Sequence, residues 1–97
     1  MNAYGLKDEV IAFVINKAKE CGLSKVIMFG SRATGRFSEK SDIDLAISGG
    51  SLDDFRYAVE EECPTLLGFD FIILDHDMSN RLRERIAAEG VVLYEVC

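Results

Sequence analysis

The chain of 97 residues has no tryptophan, one proline, one histidine and three cysteines. Cys21, Cys63 and Cys97 are odd in number, widely spaced and without a CxxC pair. A disulfide framework and a zinc site are therefore not expected, and the three read as reduced thiols with no basic neighbour to activate them. No apolar run approaches the roughly 20 residues that a membrane span needs. Lys7, Asp8 and Glu9 stand where a signal peptide would be apolar, so a cytoplasmic protein without membrane contact is expected. Basic residues are in deficit too. Lys and Arg number 11 against 17 Asp and Glu, a net charge of -6, which argues against direct nonspecific nucleic-acid binding. Repeats and low-complexity segments are absent, and the length suits a single domain over residues 1–97.

The 48% of apolar and 29% of charged residues are ordinary for a globular chain. Their order alternates helical and strand-like patterns, which predicts an α/β (α+β) fold with a small sheet. Leu6, Val10, Phe13, Val14, Ala18 and Cys21 recur at helical spacing, and Gly22 follows as a stop. Residues 25–29 form a short apolar run between Ser24 and Gly30, expected to be a buried strand. Residues 42–48 alternate, with Ile43, Leu45 and Ile47 on one side and Asp42, Asp44 and Ala46 on the other. Ser51 with Asp54 resembles a capping box for a helix carrying Leu52, Phe55, Ala58 and Val59 inward. Residues 69–74 predict a third strand, Ser79 the cap of a last helix ended by Gly90, and residues 91–96 a fourth, edge strand.

Residues 30–47 carry the chemistry. Gly30 and Ser31 directly follow the first strand, and Asp42 and Asp44 lie beyond a gap of ten residues. Carboxylates two apart on a strand project from one face, separated by roughly 6.6 Å. They can hold one divalent cation, or two about 3.5–4 Å apart, and a hard cation such as Mg²⁺ relieves their repulsion. Gly30 admits a phosphate close to the backbone, and Ser31 can donate a hydroxyl and an N–H to its oxygens. Lys25, Arg32, Arg36 and Lys40 face only Glu39 over residues 25–40, so the cations gather where a triphosphate would lie. Arg32, Arg36 and Lys40 are candidate nucleotide contacts, with solvated loop charges as the alternative. Asp70 interrupts an apolar strand, where a carboxylate is costly unless it is paired or bound to metal. Beside Asp42 and Asp44 it would be a third ligand and a base for an incoming hydroxyl.

The pattern Gly30-Ser31, ten residues, Asp42-Ile43-Asp44 resembles the nucleotidyltransferase superfamily related to DNA polymerase beta. The short length and the tail at residues 81–95 resemble its minimal branch. The resemblance implies a small mixed sheet with helices packed mainly on one face. It also implies an enzyme that moves AMP from ATP, with Mg²⁺, to a hydroxyl. Asp42, Asp44 and Asp70 are then its metal-binding and catalytic carboxylates, and Gly30 and Ser31 its phosphate-binding turn. Many minimal members are antitoxins of helical HEPN-domain proteins, some by adenylylating a HEPN tyrosine, so a toxin tyrosine is the implied acceptor. A counterpart of the larger members' helical second domain is not expected within these 97 residues. A binding module that neutralises a HEPN partner by occlusion, or transfer to a small-molecule hydroxyl, are the alternatives; homo- or hetero-oligomers suit each.

Outside this block the expectations are structural. Arg81 and Arg85 lie four apart on one helix face, set to pair with Glu84, Glu89 or a partner's acids. Asp75 and His76 read as turn residues, and Phe69 and Phe71 as packing on one strand face.

Overall fold

The computed structural model describes residues 4–96. Helix α1 (Asp8–Glu20) has Asp8 and Glu9 in its first turn and Lys17 and Lys19 in its last, matching the helix dipole at both ends. Val10, Val14 and Ala18 form its buried stripe. Strand β1 (Lys25–Phe29), the four-residue helix α2 (Ser31–Thr34) and strand β2 (Ile43–Ser48) follow. Helix α3 (Leu52–Glu62) crosses to strand β3 (Phe69–Ile73), and helix α4 (Asn80–Glu89) leads into strand β4 (Val91–Glu95). The mixed sheet has the order β3-β2-β1-β4. β1 pairs antiparallel with β2 and β4, whereas β2 and β3 are parallel because α3 carries the chain back between them.

Strand alternation divides the core into two layers. Val26, Met28, Ile43, Leu45 and Ile47 pack against α1 and α3 through Val10, Val14, Ala18, Phe55 and Val59. Phe29 and Ala46 point to the other face and pack with Ile86 of α4. Two of the three long helices thus share one face, and α4 half-covers the other. Phe69 and Phe71 stack on each other at 6.1 Å and join the first layer, as packing residues. No helix among the described residues is long and apolar enough to cross a membrane.

Local signals mostly act as read. Ser79 Oγ accepts from the Leu82 N–H at 3.1 Å and caps α4. α3 stops where Cys63 turns to extended backbone, the conformation favoured before Pro64. The capping box at Ser51 does not form. Its ψ of 82 departs from the usual cap geometry and its side chain makes no capping bond. Its N–H instead donates to the Cys21 carbonyl at 2.9 Å, tying the start of α3 to the end of α1. Cys21 and Cys63 are free thiols; burial pushes Cys63 up to about 11. Cys97 lies outside the described residues.

Candidate active site

The parallel pairing of β2 with β3 sets Asp44 directly against Asp70. Their neighbours Ile43, Leu45, Phe69 and Phe71 belong to the α1–α3 layer, so both carboxylates project toward the α4 side. Asp42 lies just before β2, and its charge also acts on Asp44. Asp44 is half-buried and Asp70 exposed. Burial, then the charge and hydrogen bond of Asp70 and the charge of Asp42, hold the Asp44 carboxyl above the usual carboxylate range; Arg85 pulls it the other way. The register thus places Asp70 beside Asp44, and Asp42 acts on Asp44 through its charge.

Gly30 stands at the same corner. Phe29 pairs with Asp44 across β1 and β2, so Gly30 follows immediately beside that carboxylate. Its φ of 78 is left-handed, and a Cβ there would collide with Asp44 Oδ2. Ser31, half-buried, opens α2 directly after it. Gly68 is part of the same wall. A Cβ on it would lie 2.8 Å from Asp42 Oδ1, while its carbonyl accepts from the Ile43 N–H at 2.9 Å. A glycine just before an acid-bearing strand was the available signal.

Arg32 is not where a phosphate ligand would be. Its side chain is 1% exposed and donates to main-chain carbonyls: Nε to Ser41 at 3.0 Å, Nη1 to Tyr4 and Gly5, and Nη2 to Ser38 and Glu39. The guanidinium lies 5.0 Å from the centre of the Phe37 ring. A buried cation needs its donors satisfied, and five carbonyls accept from this one. Arg32 consequently fastens the connection between α2 and β2, up to the residue before Asp42, to the entry of α1. Its expected nucleotide contact is corrected on that ground. Arg36 and Lys40 are exposed on this connection and make no ion pair among the described residues. Asp75 Oδ2 accepts from the Gly49 N–H at 3.2 Å, and the His76 N–H donates to Ile73; both are turn residues.

Among the described residues no three His, Cys, Asp or Glu side chains are gathered tightly enough to cage a metal by themselves. Asp44 and Asp70, paired across β2 and β3, offer the one or two carboxylates by which Mg²⁺ is held together with substrate phosphates. The crowding of like charge around half-buried Asp44, whose carboxylate packs directly against Gly30, suits a bound cation.

Comparisons with known proteins bear on this geometry. A sequence model of the family described as "Polymerase beta, Nucleotidyltransferase" matches residues 9–96. A Methanocaldococcus jannaschii protein, named provisionally as a protein adenylyltransferase, is 32% identical over 81 residues, which cover 74% of this chain and 79% of that protein. A crystal structure described as a toxin-antitoxin with AMP-PNP is similar with a TM-score of 0.68 and 22% identity, covering 89% of this chain and 73% of that one. A structure of a mutant MntA-HpeT toxin-antitoxin is similar with a TM-score of 0.67 and 20% identity, over the same shares of the two chains. Both structural likenesses show the fold. With the family match spanning nearly the whole sequence, this chain belongs to the polymerase beta nucleotidyltransferase family.

Proposed function

We propose that this nucleotidyltransferase moves AMP from ATP to a hydroxyl of a partner protein, a tyrosine of a HEPN-domain toxin, and acts as its antitoxin. The observation that carries the reading is the β2–β3 register, which sets Asp44 against Asp70 beside the Gly30 turn. In the reaction the acceptor oxygen bonds to the α-phosphorus, the α–β anhydride bond breaks and pyrophosphate leaves. Asp42 and Asp44 would hold Mg²⁺, which supplies charge neutralisation to the triphosphate when bound. Gly30 and Ser31 receive the phosphates, with backbone and hydroxyl donors set by the start of α2. Asp70, the exposed acid of the pair, is open to an acceptor and would take its proton. Arg36 and Lys40 are free to draw in the nucleotide. Positioning and electrostatics are the protein's main contributions.

The relative named as a protein adenylyltransferase supports a protein acceptor, and the structures named as toxin-antitoxin complexes support a toxin. AMP-PNP in one of them supports ATP as donor. The reading includes a single domain working in the cytoplasm. Incubation with labelled ATP, Mg²⁺ and the purified partner tests it. Label should appear on a partner tyrosine and vanish with the double change Asp42→Ala and Asp44→Ala. Absent or unchanged transfer rejects it.

One observation favours occlusion as a second reading: Tyr57, Leu66, Val92 and Val96 are large apolar residues left exposed. Occlusion predicts that the double alanine variant still neutralises the toxin. A variant that binds the toxin yet leaves it active excludes that reading.

A further inference from the structure

The candidate site contains carboxylates and its proposed substrate is itself polyanionic, so a fixed protein cation near the phosphates would add to the neutralisation that Mg²⁺ supplies. The loop cations Arg36 and Lys40 are exposed and unanchored, and Arg32 is spent on main-chain carbonyls. Arg85 is different. It projects from α4, the helix that covers the carboxylate-bearing face of the sheet. Its guanidinium lies over the ring of Phe29, 5.9 Å from the centroid. Phe29 is both the strand partner of Asp44 and the residue before Gly30. Among the described residues it is the cation whose field reaches Asp44.

The side chain is also held in place. Its Nε donates to Glu89 Oε2, one turn further along α4, at 3.1 Å. That bond occupies the inner nitrogen, and the two Nη groups make no hydrogen bond among the described residues. A guanidinium oriented through Nε presents its outer edge as a two-pronged donor, the geometry that suits a phosphate. The side chain is 52% exposed, so the donor edge is open to ligand. The sequence reads Arg85 as a helix-surface charge set to pair with Glu84, Glu89 or a partner's acids; the Glu89 pair forms, and its consequence is an aimed cation at the corner of the site.

We propose that Arg85 is a polyphosphate-binding residue of this site, donating its Nη groups to the β- or γ-phosphate of the nucleotide while Glu89 orients it. The assignment rests on the reading of the acidic face as a nucleotide site. It makes Arg85 a determinant of triphosphate over monophosphate binding, because it adds a contact that AMP cannot make.

Calorimetric titration of the full chain with ATP and with AMP, each with Mg²⁺, tests the assignment. Arg85→Ala should weaken ATP binding about tenfold and leave AMP binding unchanged, the size of effect expected for one charge-assisted pair. Arg85→Lys should recover part of the loss, since it restores the charge without the fork. The thermal midpoint of Arg85→Ala should stay close to that of the parent, because the side chain lies on a helix surface. ATP affinity unaltered by Arg85→Ala, while Asp44→Asn abolishes it, overturns the assignment and leaves the site reading standing. Equal losses for ATP and AMP, or a collapse of the thermal midpoint, also overturn it. Failure of the parent chain to bind ATP defeats the site reading and the assignment together.

Discussion

Asp44 is under opposing demands. Burial and its acidic neighbours hold its carboxyl above the usual range, so the folded chain binds that proton more tightly than the unfolded chain does. The resulting stability is fully present below the unfolded value of about 4 and is lost as pH rises through the folded one. Without divalent cations, Asp44→Asn should therefore raise the thermal midpoint at neutral pH, with the gain shrinking toward about pH 4; an unchanged or lower midpoint at neutral pH defeats this. Mg²⁺ with ATP should stabilise the parent and not this variant, by ligand linkage. Gly30 is constrained from two sides, by its left-handed backbone and by the Asp44 oxygen that a Cβ would strike. Gly30→Ala should cost about 1–3 kcal/mol in denaturant unfolding and remove transfer activity. These acids and this glycine were legible in the sequence because strand alternation and the Gly-Ser turn are local patterns. Arg32 was not: its sequence neighbours are small and polar, and the carbonyls it binds include those of Tyr4 and Gly5, far away along the chain.

Among the elements, the connection from α2 to β2 has little apolar packing and depends on Arg32. Ser41, whose carbonyl accepts from Arg32 Nε and whose Oγ accepts from the Ser38 N–H at 2.8 Å, is next to Asp42. Arg32→Ala would leave several carbonyls without their donor, and should lower unfolding free energy by about 2–5 kcal/mol. Arg32→Lys should recover little, because an ammonium cannot span five acceptors in one plane. Recovery of full stability by lysine would contradict the staple. At the start of α4, Ser79→Ala should cost about 1 kcal/mol through loss of its bond to Leu82. The equivalent change Ser51→Ala at α3 should be nearly neutral, since that side chain makes no cap bond. Chemical denaturation of the two variants side by side reads the difference. The capping motif at Ser51 misled because cap chemistry needs a backbone geometry that the tether to Cys21 does not allow.

At the scale of the whole molecule, a four-stranded sheet between two unequal layers leaves one face only partly covered. The fully covered face buries Leu45, Ile47 and Val26 completely. Leu45→Ala should cost about 2–5 kcal/mol by urea unfolding, as a cavity in a core that α1 and α3 close from above. The half-covered face is where α4 ends its coverage and the acids begin. Alternating hydrophobicity, helix periodicity and the spacing of Gly30, Ser31, Asp42 and Asp44 were fixed by neighbours within a few residues, and so the sequence alone determined the elements and most of the acidic set. The partnership of Asp44 with Asp70, the place of Gly68 beside Asp42, the withdrawal of Arg32 and the approach of Arg85 were decided only by tertiary structure. Each depends on strand order, register or helix placement, and those are set by how the two apolar layers close around the sheet.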